Sequence, residues 1–141
     1  MNVIPAASIV GKSNSGKTTL IEKLIPELKK RGYRVATIKH NRHGFDIDHE
    51  GKDSWRHKKA GAQMTVIASP IQVAVIEDTE RDYGISDLID NYIHDVDIVL
   101  IEGFKNNPYP KIEVFRDASE HELLYTPQNN YIAIASDKPF D

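Results

Sequence analysis

Cysteine is absent from the chain. Disulfides and thiolate metal sites are therefore excluded, and the composition fits a reducing compartment. Long apolar runs are lacking too. Each is far shorter than the roughly 20 residues that span a bilayer as a helix. The N-terminal MNVIPAASIVGKS has no basic segment ahead of its apolar run, so it does not read as a signal peptide. A cytoplasmic protein that meets no membrane is the expectation. Excess positive charge is also missing. The net charge is −3, from 18 basic and 21 acidic residues. That argues against a general polyanion binder and so against nucleic acid as partner, although a local basic patch stays compatible with it. Internal repeats and low-complexity tracts do not occur.

What is present suits one globular domain. The chain has 141 residues, 40% of them hydrophobic and 28% charged, enough to bury a core without covalent staples. Its most informative stretch is GKSNSGKT at 11–18. Gly, four residues, then Gly-Lys-Thr is the phosphate-binding P-loop pattern, here placed after an apolar run and before a helical one. The chemistry explains the residue types. Phosphate oxygens need many donors at close range. A glycine-bearing loop lets backbone N–H groups turn inward, and the following helix points its positive end at the anion. Gly11, Lys12, Ser13, Asn14, Ser15, Gly16, Lys17, Thr18 and Thr19 are therefore the candidate phosphate-binding residues. Lys17 reaches the β- and γ-phosphates, and Thr18 offers a hydroxyl to Mg²⁺.

Periodicity organises the rest. Residues 3–10 read as a buried strand with Pro5 near its start. Residues 17–31 read as a helix with Leu20, Ile21, Leu24, Ile25 and Leu28 on one stripe, Lys29, Lys30 and Arg31 at its end and Gly32 just past it. Pro26 is expected to kink or split that helix. A second strand at 33–38 completes a βαβ opening, which implies a parallel sheet. The stretch 39–59 is largely loop, with Asp53 as the cap of a short helix ending at Gly61. Residues 65–68 and 71–76 flank Ser69-Pro70 and predict a hairpin or two adjacent strands. A helix is expected at 86–93, with Ile85, Leu88, Ile89, Tyr92 and Ile93 on one side. Strands are expected at 97–101, 111–115 and 131–135, and a weak helix at 120–125. The predicted fold is an α/β P-loop NTPase, a mostly parallel sheet flanked by helices. It forms one domain over 1–141, with a small β-rich insertion near 62–78.

Three further constellations carry chemistry. The apolar strand DIVLIEG at 97–103 ends in Glu102, the Walker B arrangement. Ligands of such sheets lie beyond the C-terminal strand ends, so Glu102 is placed to hold Mg²⁺ or orient a water. The charged loop KHNRHGFDIDHEGKDS follows the second strand. There Asp46 or Asp48 is expected to face Mg²⁺, while Lys39, His40, His43, Lys52 and Asp53 form a switch-like, anion-facing group. An alternative reading is a zinc site of His40, His43 and His49 or Asp46, although the spacing matches no helical His pair. Asp137 follows the last strand, where a carboxylate can accept from the N1–H and N2–H₂ edge of guanine.

With these residues in hand, the chain resembles the MobB family of molybdopterin-guanine dinucleotide biosynthesis adapter proteins. The likeness rests on GKSNSGKTTL at 11–20, KHNRHGFDIDHEGKDS at 39–54, Ala-Gly-Ala at 60–62, DIVLIEGFK at 97–105 and PKIEVFR at 110–116. It implies GTP and Mg²⁺ as cofactors, weak GTP hydrolysis and a homodimer. It also implies association with the nucleotidyltransferase that attaches GMP to molybdopterin. Family members usually continue past the last strand, whereas this chain stops soon after Asp137. Lys12 stands where the deviant P-loop ATPases, with their GKGGxGKT loops, carry a lysine that reaches across a dimer. It is the candidate for charge supplied in trans beside the catalytic Lys17 and Glu102. Two other functions fit the residues: a P-loop small-molecule kinase, whose lid arginines would come down to Arg81, and a nucleotide-dependent metal-insertion chaperone, for which the clustered histidines argue.

Overall fold

The computed structural model describes residues 3–104, 106–119 and 122–140 of the chain. In chain order the elements are β1 (Ala6–Val10), α1 (Lys17–Lys30), β2 (Val35–Lys39), α2 (Asp53–Lys59), β3 (Met64–Ala68), β4 (Val73–Glu77), α3 (Ile85–Tyr92), β5 (Ile98–Glu102), β6 (Lys111–Phe115), a 3₁₀ turn at Asp117–Ser119, and β7 (Tyr131–Ser136). Contacts divide the chain into two compact units, Met1–His40 with Ile85–Asp141, and Asn41–Gly84.

The first unit is the expected parallel sheet flanked by helices. Its strand order is β2-β5-β1-β6-β7, and every neighbouring pair is parallel. β5 therefore slots between the two strands of the opening βαβ unit. One register pair, Ile9 opposite Glu102, brings the end of β5 level with the start of the P-loop. Each face carries one helix. The α1 stripe of Leu20, Ile21, Leu24, Ile25 and Leu28 packs on Ile9, Leu100 and Val114. On the other face Ile85, Leu88, Ile89 and Ile93 pack with Ala6, Ile38, Val99 and Ile101. Tyr92, expected on that side, is instead exposed, because the stripe is already filled by the aliphatic residues around it. Ile9, Val99 and Ile101 are fully buried, each contributing about 1.5–3 kcal/mol of transfer free energy.

α1 runs through Pro26 as one helix, so of the kink or split expected there the split does not occur. Proline removes the N–H that would bond the Glu22 carbonyl, but the flanking leucine and isoleucine contacts hold the helix together. Its end follows the glycine logic: Gly32, at φ 87°, donates to Lys29, and Tyr33 donates to Leu28. At the start of the β2–β5 pair, Arg34 and Asp97 clip the strands together. The Arg34 amide reaches the Asp97 carboxylate at 2.7 Å and its Nε at 3.3 Å. That guanidinium bond, with the amide bond behind it, holds the Asp97 carboxyl below its usual range.

β6 carries two buried charged residues. The Lys111 ammonium donates to the carbonyls of Asn107, Tyr109 and Asn129, and burial lowers its pKa. Glu113 accepts the backbone N–H groups of Leu124 at 2.7 Å and Tyr125 at 2.9 Å. Those bonds take donors that a helix at 120–125 would need. Residues 122–125 are accordingly irregular; 120 and 121 lie outside the described residues.

In the second unit, α2 starts at Asp53, and the cap is Lys52 in an extended conformation with no side-chain bond. Asp53 is thus the first residue of the helix rather than its cap, an acidic group at the positive dipole end. β3 and β4 pair antiparallel, Thr65 opposite Ile76. The second strand begins at Val73, because Ser69 and Gln72 close the turn through Ser69 N–H to Gln72 O at 2.8 Å, leaving Ile71 in the loop.

Replacing Glu113 by Ala leaves the N–H groups of Leu124 and Tyr125 without the acceptor they have. The expected loss is about 3 kcal/mol of unfolding free energy, read as a lower urea midpoint at unchanged slope; an unaltered midpoint would remove Glu113 from this role.

Candidate nucleotide site

The P-loop joins β1 to α1 and bends through unusual backbone conformations. Asn14 has φ 62° and Gly16 φ 100°. Glycine is required at Gly11 for space: a Cβ there would lie 2.6 Å from Ser15 Oγ and 2.7 Å from the Val114 carbonyl. The loop closes on itself through Ser15 N–H to Lys12 O at 3.1 Å, and the Lys17 ammonium donates to the Gly11 carbonyl at 3.0 Å. Ser15 is 2% exposed, and its hydroxyl has no hydrogen-bond partner among the described residues. A buried hydroxyl without a partner in the loop that opens α1 is suited to an oxyanion.

Glu102 ends β5 beside this loop. The Thr18 hydroxyl donates to Glu102 Oε1 at 3.2 Å, and the Lys39 ammonium lies 4.0 Å from the same oxygen. The elements that produce this are plain: β1 aims the P-loop, β5 aims Glu102, β2 ends in Lys39, and all three strands run in the same direction. The His40 N–H donates to the Glu102 carbonyl at 3.0 Å, and the His40 ring lies 4.6 Å from the Phe104 ring. Gly103 permits that approach. Its φ is 101°, and a Cβ there would lie 2.5 Å from the His40 carbonyl.

Ser13, Asn14, Gly16, Lys17, Thr18, Thr19 and Glu102 line one hollow of about 500 Å³. The eighth residue lining it is Arg116, which sequence reasoning did not single out. It follows the last residue of β6, the position where ligand-side residues of a parallel sheet stand, and that placement was the available signal. Lys12 lines a neighbouring hollow of about 450 Å³ with Gly103, Asn107 and Tyr131.

The remaining candidates fall elsewhere. His43, Asp46, Asp48, Lys52 and Asp53 belong to the second unit. Asp48 Oδ1 accepts the His49 N–H at 2.8 Å, while its Oδ2 is buried without a partner among the described residues. Among the described residues no three His, Asp or Glu side chains gather as a metal-holding group, so the zinc alternative of His40, His43 and His49 or Asp46 has no support in the geometry. Arg81, the kinase-lid candidate, sits 4.8 Å over the Tyr83 ring. Asp137 lies just past β7, where its Oδ1 accepts the Asp117 N–H at 2.9 Å. Lys138 in turn bonds Asp117 at 2.7 Å. The ends of β6 and β7 are thereby tied together on the ligand side.

Comparison with known proteins agrees with this geometry. Residues 6–137 match the family model of MobB, molybdopterin guanine dinucleotide synthesis protein B. The molybdopterin-guanine dinucleotide biosynthesis adapter protein of Haemophilus influenzae is 41% identical over 141 residues, covering 99% of this chain and 79% of that one. Its Escherichia coli counterpart is 39% identical over 145 residues, covering 99% and 82%. The crystal structure of Bacillus subtilis MobB superposes with a TM-score of 0.75 at 33% identity, over 96% of this chain and 82% of that one. With the family model spanning nearly the whole chain and relatives this similar along it, the chain belongs to the MobB family.

Proposed function

We propose that this chain is a GTP-binding accessory protein with weak GTPase activity that assists the attachment of GMP to molybdopterin, working with the guanylyltransferase that performs it. The observation that carries the nucleotide reading is the 3.2 Å contact between Thr18 and Glu102. It sets a P-loop hydroxyl against a strand-end carboxylate, the pair that holds Mg²⁺ in P-loop NTPases. The unpartnered Ser15 hydroxyl and the crowded Gly11 add a cradle that fits phosphate.

Lys17 exchanges its bond to the Gly11 carbonyl for phosphate oxygens when the nucleotide binds. Thr18 and Glu102 would hold a Mg²⁺, which would supply neutralising charge to the phosphate tail. Lys39 and His40, at the end of β2 beside Glu102, supply the anion side. Asp137, oriented by the Asp117 N–H, reads the guanine edge.

A homodimer is part of the reading. The β3–β4 hairpin exposes Met64, Val66, Ile67, Val73 and Val75, with Val66 58% and Val73 65% exposed. A two-stranded sheet with this much open apolar surface is marginal in water by itself, and a second copy of the chain would cover it. Lys12, in the P-loop, is the residue that would act on the partner's nucleotide.

Two measurements test this. By calorimetry with Mg²⁺, GTP should bind at least about tenfold more tightly than ATP. Lys17→Ala should weaken GTP by about ten- to a hundredfold, and Glu102→Gln should abolish the Mg²⁺ dependence; equal ATP and GTP affinity counts against the assignment. In sedimentation, Val66→Lys with Val73→Lys should yield a monomer in which hydrolysis per site falls to the level of Lys12→Ala. A double variant that stays dimeric, or Lys12→Ala with full activity at every protein concentration, contradicts the shared-site reading.

A further inference from the structure

The P-loop is flanked by two strands, not one. β5 on one side delivers Glu102, and β6 on the other ends immediately before Arg116. The Arg116 guanidinium lies against Gly16. A Cβ built on Gly16 would be 3.1 Å from one terminal nitrogen and 3.4 Å from Nε. Arg116 also lines the same hollow as Lys17, Thr18, Thr19 and Glu102. Cations are favoured at helix C-termini and disfavoured at N-termini. Here the N-terminus of the 14-residue α1, the Lys17 ammonium and the Arg116 guanidinium converge on one space. Glu102 is the carboxylate that lines the same hollow, and it stands on the β5 side.

The two flanks also give the nucleotide a direction. Thr18 and Glu102 mark the metal end, on the β5 side. Arg116 lies across the loop on the β6 side, next to the tied ends of β6 and β7 that carry Asp117 and Asp137. We propose that Arg116 is a nucleotide-binding residue acting within its own chain, its planar fork donating to the phosphate on the nucleoside side of the tail, away from the metal. This deepens the P-loop reading above and rests on it. The role differs from that of an arginine finger. A finger meets the γ-phosphate and changes hydrolysis, whereas this arginine contacts what GTP and GDP share. Gly16 is then constrained twice, by its φ of 100° and by the guanidinium laid across it.

The test is calorimetric titration of GTP and GDP, each with Mg²⁺, into the wild-type chain, Arg116→Ala and Arg116→Lys, with melting temperatures measured without and with nucleotide. The expected result is that Arg116→Ala weakens GTP and GDP by the same factor, about ten- to a hundredfold. Arg116→Lys should recover part of this, since it restores the charge but not the fork. The nucleotide-induced rise in melting temperature should shrink in Arg116→Ala. Unchanged GDP affinity, or a loss confined to GTP or to the hydrolysis rate, overturns the proposal. So does lowered nucleotide-free stability in both variants with nucleotide affinity intact, because the arginine then serves packing. Wild-type chain that binds neither nucleotide overturns the P-loop reading itself, a result separate from the arginine's failure.

Discussion

The site depends on the parallel pairing of β1 with β5. Ile9 stands opposite Glu102 in that ladder, and the register alone decides whether a carboxylate meets the P-loop. A slip of one residue would turn Glu102 to the other face of the sheet and put Ile101 in its place. The core enforces the register from both sides. Ile9 and Leu100 face α1, while Val99 and Ile101 face α3. The apolar residues that hold the sheet together therefore also fix the 3.2 Å contact between Thr18 and Glu102.

The local parts of this were legible in the sequence. GKSNSGKT named its own chemistry, because few other arrangements need that spacing between an apolar run and a helical one. The α1 stripe and the all-apolar β5 followed from period and composition. Glu102 followed from its position at the end of β5. What was not legible is set by contacts between distant residues. Nothing in a βαβ opening says that a strand some sixty residues later will enter between its two strands. Arg116 was quoted as part of PKIEVFR, yet its relation to Gly16 exists only once β6 lies beside β1.

Three local readings turned out differently in the structure. The stretch at 120–125 has helix-forming residues, but Glu113 takes the amides of Leu124 and Tyr125, and a buried carboxylate needs those donors more than the local chain does. Asp53 looked like a cap, whereas Lys52 occupies that position and Asp53 complements the dipole from inside. Pro26 does not split α1, because packing of the flanking Leu24, Ile25 and Leu28 outweighs one missing hydrogen bond.

The central claim is that Gly11–Thr18 and Glu102 form one Mg²⁺–GTP site. The most direct measurement is a crystal structure of the chain with Mg²⁺ and a non-hydrolysable GTP analogue. The account predicts phosphates within the loop, the metal on the Thr18 hydroxyl, and Glu102 bonded to that metal or to its water. Nucleotide bound away from the loop, or a metal that ignores both Thr18 and Glu102, would contradict it.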